Sequence, residues 1–209
     1  MRFLPLILLP VIAFAQQSPD HVLDKLFFDF HEYVYRNFPE SATYEGDHRY
    51  NNELTDLSAS AHKARYDSLR TLKTRIQAVD RNSVSKANHI NYDLFLRMIN
   101  KDLEGEKFNS HFQPINQMGG IHIDFPQIVQ FQPFRNYKDY LDYIARLNKF
   151  PIEIDNVITN MRSGINAGIV PPEIIMQPTL VQIENIMENT VDSSVFMVYP
   201  KEGALNISE

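Results

Sequence analysis

Ser58-Ala-Ser-Ala-His-Lys-Ala-Arg-Tyr-Asp-Ser-Leu-Arg-Thr-Leu-Lys-Thr-Arg-Ile-Gln-Ala-Val79 decides the fold class. Leu57, Ala61, Ala64, Leu69, Leu72, Ile76 and Val79 recur at a period close to 3.6, and Ser58 stands where an N-cap hydroxyl accepts the first free amides. This is the cleanest amphipathic helix in the chain. Its other face, with Lys63, Arg65, Asp67, Arg70, Lys73 and Arg75, alternates in charge as a surface toward solvent or a neighbouring helix does.

Working outward, Ser18-Pro19 starts an earlier helix, in which Val22, Leu23, Leu26, Phe27, Phe30 and Val34 form an aromatic-rich face up to Phe38-Pro39. Downstream, Ser85 opens a helix that ends near Gly105. Its two apolar rows, Ile90-Leu94-Met98 and Phe95-Ile99-Leu103, predict that it is the buried one. From Glu106 to Arg135 the helical period gives way to turn formers. Asn136 caps a helix reaching Phe150, Pro151 opens another ending at Gly164 to Gly168, and Pro171-Pro172 begins a last one through Ile186-Met187, interrupted or restarted at Pro178. Six helical segments without a hairpin signal predict an all-α fold, a multi-helix array of antiparallel helix pairs with one long irregular loop.

Met1-Arg2, an apolar run from Phe3 to Ile12, and Ala13-Phe14-Ala15 follow the order of a secretory signal peptide cleaved after Ala15. The run is shorter than the roughly 20 residues of a spanning helix. Residues 16–209 are therefore expected to be exported, periplasmic or extracellular, with no integral membrane segment. There is no cysteine, which excludes a disulfide-stapled scaffold and lipid attachment at a thiol. A formal net charge of −6 and the lack of any lysine or arginine run argue against nucleic acid as a partner. The hydrophobic content of 44% is that of a folded domain. Lys201 to Glu209 close without a helix or strand pattern, as in the front part of a longer protein.

Chemistry concentrates in Pro39-Glu-Ser-Ala-Thr-Tyr-Glu-Gly-Asp-His-Arg-Tyr-Asn51. Pro39 stops the preceding helix and Gly46 permits positive φ, so Asp47, His48 and Arg49 follow a bend. Phe38, Tyr44 and Tyr50 flank it and favour partial burial. Asp47, His48, Arg49 and Tyr50 are the candidate substrate-binding residues, the Arg49 guanidinium matching a carboxylate on the protein or on a substrate C-terminus. The alternative is that Asp47 and Arg49 only pin the turn. His122 and Asp124, two residues apart, would leave an extended backbone on one face and are a second candidate pair. In His31-Glu32-Tyr33-Val34-Tyr35, Tyr35 stands where a His-Glu-x-x-His motif needs its second histidine. No metal ligand and no catalytic residue is assigned.

Phe38-Pro39 to Tyr50 with Leu54-Thr-Asp56, Gln117-Met-Gly-Gly120, Tyr143-Ile-Ala-Arg146-Leu147, and Met161-Arg-Ser-Gly164 to Gly168-Ile-Val-Pro171 together resemble the bacterial domain of unknown function 885 family, over nearly all of the chain after the signal. The resemblance implies a largely helical, often exported protein grouped with zinc metallopeptidases. It implies a chain longer than this one, with the zinc motif on the C-terminal side of Glu209. Residues 16–209 would then form one side of a peptide cleft, with zinc, its ligands and the general base supplied by the C-terminal portion, and with no cofactor and no activity of their own. The other class left open is a non-catalytic periplasmic helical binding or scaffold module.

Overall fold

Three apolar clusters organise the described residues, and the long helix Tyr137–Asn166 packs on the second and third of them. The computed structural model describes residues 18–204, and the signal segment with its cleavage point lies outside them. Their α-helices are α1 Pro19–Asn37, α2 Pro39–Tyr44, α3 Ala59–Gln77, α4 His89–Gly105, α5 Ile121–Ile128, α6 Tyr137–Asn166, α7 Glu173–Met187 and α8 Val195–Ala204. Short 3₁₀ turns link them, and no strand occurs among the described residues. The all-α expectation is met. No helix among the described residues is long and apolar enough to cross a membrane.

The first core packs Leu23 and Leu26 of α1, Leu69, Leu72 and Ile76 of α3, and Tyr92, Phe95 and Ile99 of α4. Phe95 meets Phe27 and Phe30 edge-on, with centroids 5.1 and 5.3 Å apart. Ser18 and Ser58 accept from the backbone amides of His21 and Ala61, as their cap positions require. The expectation that α4 is the buried helix is corrected. Only the row Tyr92, Phe95 and Ile99 is covered, while Ile90 and Leu94 are 64% and 57% exposed, because α1 and α3 pack on one side of it.

The second core gathers Leu54, Ile115, Ile121, Phe125, Ile128 and Val157. Here the long loop proves to contain α5. Gly120, at φ 120°, turns the chain, and its N–H donates to the Asp124 carboxylate at 3.1 Å, which starts the helix. α6 is also one helix of 30 residues where two were expected. Proline removes a backbone bond and crowds the preceding turn, at a cost of about 3 kcal/mol. Leu147, Phe150 and Ile154, on both sides of Pro151, pack on the second core, and that burial carries the helix through.

α8 was not legible as an element. The Tyr143 hydroxyl donates to the Phe196 carbonyl at 2.8 Å, the carbonyl a residue-200 amide would otherwise take. Residue 200 is proline and has no amide hydrogen, so the tyrosine completes the bond.

Along α6, Asp139, Arg146, Glu153 and Asn160 recur every seven residues on the buried side. Asp139 accepts from the Arg135 amide at 2.9 Å, Glu153 accepts from the Leu57 amide at 2.7 Å, and Asn160 donates to the Leu57 carbonyl at 2.8 Å. Arg146 holds residues 43–53. The corner that the sequence marks as chemical is thus hung on one helix by buried polar side chains.

Candidate functional site

The corner begins with α2, where Pro39 occupies the first turn and its missing amide costs nothing. Gly46, at φ 83°, then reverses the chain. Behind the bend lies Arg146, wholly buried. Its Nε donates to the Glu53 carbonyl at 2.7 Å, Nη1 to Gln132 Oε1 at 2.6 Å, and Nη2 to Thr43 Oγ1 and the Tyr50 carbonyl, both at 3.0 Å. The Thr43 hydroxyl donates in turn to Asn51 Oδ1 at 2.8 Å. The bend is folded around a guanidinium.

On the outer side, Asp47 accepts from the Arg49 amide at 3.0 Å and grips its guanidinium through both carboxylate oxygens. Glu32 of α1 takes the other edge of that guanidinium, at 2.7 and 3.1 Å. Hydrogen bonding to Arg49 holds both carboxyls below their usual range, and bonding to Asp47 and then Glu32 pushes Arg49 up. The fork of Arg49 is therefore engaged by protein carboxylates, tying the bend to α1. His48 Nδ1 lies 3.3 Å from Asn51 Nδ2, and Tyr50 contributes its carbonyl to Arg146.

His122 and Asp124 are not brought onto one face. Both lie in α5, where residues two apart point about 200° from each other. His122 is buried, its Nε2 3.3 Å from Gln182 Oε1 and its Nδ1 without a partner among the described residues. Asp124 is exposed. It lines a cleft of about 400 Å³ with Glu40, Ser41, Tyr44 and Thr55 above a floor that includes Phe125. Glu40 accepts from the Thr55 amide at 3.0 Å and from its hydroxyl at 2.5 Å, which fixes that wall. Among the described residues, two carboxylates and no basic side chain border this cleft.

Sequence reasoning missed Glu40, Tyr44 and Thr55 as wall residues, and Arg146 as the group behind them. It also placed Arg65 on a face toward solvent or a neighbouring helix. A signal existed, since Arg65 lies four residues after Ala61 and four before Leu69, on the apolar stripe itself. Its guanidinium sits 5.5 Å from the centre of the Phe38 ring, in a second groove that shares Phe38 with the cleft.

In that groove, the His62 ring lies 4.1 Å from that of His111. Burial, then the neighbouring His111 and Arg65, bring His62 down to about 4 from an ordinary 6.5. A base that binds its proton less readily when folded lends stability that is present above about pH 6.5 and lost as the pH falls toward 4. Tm is expected to fall across that window, and His62→Gln to flatten this part of the fall. Equal slopes for the two proteins, in thermal melts at half-unit pH steps, would assign the fall to other groups.

No three of His, Cys, Asp and Glu gather among the described residues in a way that could hold a metal ion. The family described as bacterial protein of unknown function (DUF885) matches residues 39–205. No curated protein matches the chain.

Proposed function

The chain belongs to the DUF885 family of bacterial proteins, and from that premise we propose that it forms the N-terminal, substrate-cleft wall of an exported zinc-dependent metallopeptidase-like protein. The observation that carries the reading is the cleft between the 39–57 corner and α5, which sets Glu40, Ser41, Tyr44, Thr55 and Asp124 around an apolar floor. A peptide needs such a surface, with apolar area to bury and polar groups to orient it. The paired carboxylates favour the amino-terminal or basic side of a peptide. In this reading zinc, held by ligands in the C-terminal portion of the longer chain, would supply Lewis-acid chemistry, and this part binds and orients the peptide. The protein works outside the cytoplasm, in the periplasm or beyond the cell, once the leader is removed.

The whole protein is expected to cleave members of a mixed peptide library and to lose that activity to a chelator. Tyr44→Ala, which removes a wall and no reacting group, is expected to raise KM about fivefold with kcat nearly unchanged. A zinc-supplied whole protein that cleaves none of the library would sink the proposal and favour a non-catalytic helical binding or scaffold module.

A further inference from the structure

The groove on the far side of Phe38 encloses about 560 Å³ between α1, α3 and the end of α4. That volume is in the range of small-ligand sites. Phe30, Tyr33, Phe38 and Tyr66 give it aromatic walls, and Arg65 enters it from α3. Arg65 Nη1 donates to the Asp56 carbonyl at 2.8 Å, and the Tyr33 hydroxyl donates to the Arg65 carbonyl at 3.3 Å. These bonds fix the arginine at both ends. A guanidinium carries five N–H donors, and among the described residues no other acceptor takes one from Arg65.

The contrast with neighbouring arginines is informative. Arg49, Arg70, Arg75 and Arg81 each pair with a carboxylate, whereas no ion pair of the described residues includes Arg65. Its partial burial lowers its pKa, against attraction from Tyr33 and from the carboxylates of Asp56 and Glu153, neither of which forms an ion pair with it. Lys101 and Asp102 on the α4 wall oppose each other in sign, so Arg65 sets the charge preference of the groove.

We propose that this groove holds the C-terminal residue of a peptide, its carboxylate on the free edge of the Arg65 guanidinium and its apolar side chain between Phe30, Phe38 and Tyr66. The choice of a peptide rests on the function proposed above, while the carboxylate and the apolar side chain follow from the groove. Because the acidic cleft and this groove meet at Phe38, a short peptide across them would have its amino end near Glu40 and Asp124 and its carboxyl end at Arg65.

The test is calorimetric titration of the chain with the tripeptide alanyl-alanyl-phenylalanine and with its C-terminal amide. The acid is expected to bind about tenfold more tightly than the amide, the difference a charge-assisted fork makes. Arg65→Met is expected to erase that preference, with Tm measured to confirm that the variant is folded. Equal affinity for acid and amide, or no binding of either at millimolar concentration, overturns the proposal, and this comparison on the unaltered chain needs no variant to fold. A preference that survives in folded Arg65→Met overturns it as well, by placing the carboxylate elsewhere. Failure of the acid to bind while the whole protein cleaves peptides removes the Arg65 site and leaves the peptidase reading standing. Binding by the chain without cleavage by the whole protein does the reverse.

Discussion

Arg146→Met is expected to destabilise the protein by about 3–5 kcal/mol, the range for breaking a buried charge network at one partner. Methionine fills much of the same volume, so the loss is one of hydrogen bonds. The Glu53 and Tyr50 carbonyls, Gln132 Oε1 and Thr43 Oγ1 all accept from this one guanidinium, and each left unpaired in a buried site costs about 1–3 kcal/mol. An opposing effect exists. Burial pulls Arg146 down to about 10, which means that the folded protein disfavours its charge, and methionine relieves that. Orphaned acceptors win because there are four of them, three in the 43–53 corner and the fourth on Gln132. Arg146→Lys keeps the charge but cannot fork to four acceptors and is expected to recover less than half of the loss. Urea unfolding measures both variants, and hydrogen exchange at Asn51 to Glu53 should quicken in each. A loss below about 1 kcal/mol for Arg146→Met would mean that the corner stands without its hub.

That hub shows where reading the sequence succeeds and where it stops. α1 and α3 were legible because serine caps and apolar residues at a 3.6 period report local physics, and both caps make their bonds in the structure. Arg146 and Glu153 were not, because a charged residue on a helix is usually a solvated one. Their burial depends on partners about a hundred positions away, such as Leu57 and Thr43. The seven-residue recurrence of Asp139, Arg146, Glu153 and Asn160 is the one local trace of it. Pro151 misled for a related reason, since the rule that proline ends helices concerns the isolated chain and the second core overrides it. Within the candidate site, the bend at Gly46 and the pairing of Asp47 with Arg49 follow from residues two or three apart, whereas the reach of Glu32 to Arg49 is tertiary. Asp124 lies in the cleft through α5, a helix hidden among turn formers.

Phe125→Ala tests that hidden helix and is expected to cost about 3–5 kcal/mol, the range for truncating a buried aromatic. Phe125 is 2% exposed, stacks on Phe150 of α6 at 4.4 Å with planes 16° apart, and lies 5.7 Å from Phe196 of α8. Three helices therefore meet at one ring, and its loss opens a void that none of them can close without moving off the others. Phe125→Leu keeps most of the volume and is expected to cost about 1.5 kcal/mol or less. The difference between the two substitutions isolates cavity formation from loss of aromatic contact. Since Phe125 is also the floor of the cleft beneath Glu40 and Asp124, the leucine variant should stay folded while altering the surface a bound peptide meets. Hydrogen exchange adds a regional readout. In Phe125→Ala, amides from Phe196 to Tyr199 should lose protection before those of α3, because α8 rests on this ring and α3 belongs to the first core. If Phe125→Ala costs less than about 1 kcal/mol, residues 121–128 do not form a helix packed on α6, and the wall that sets Asp124 in the cleft is lost with it.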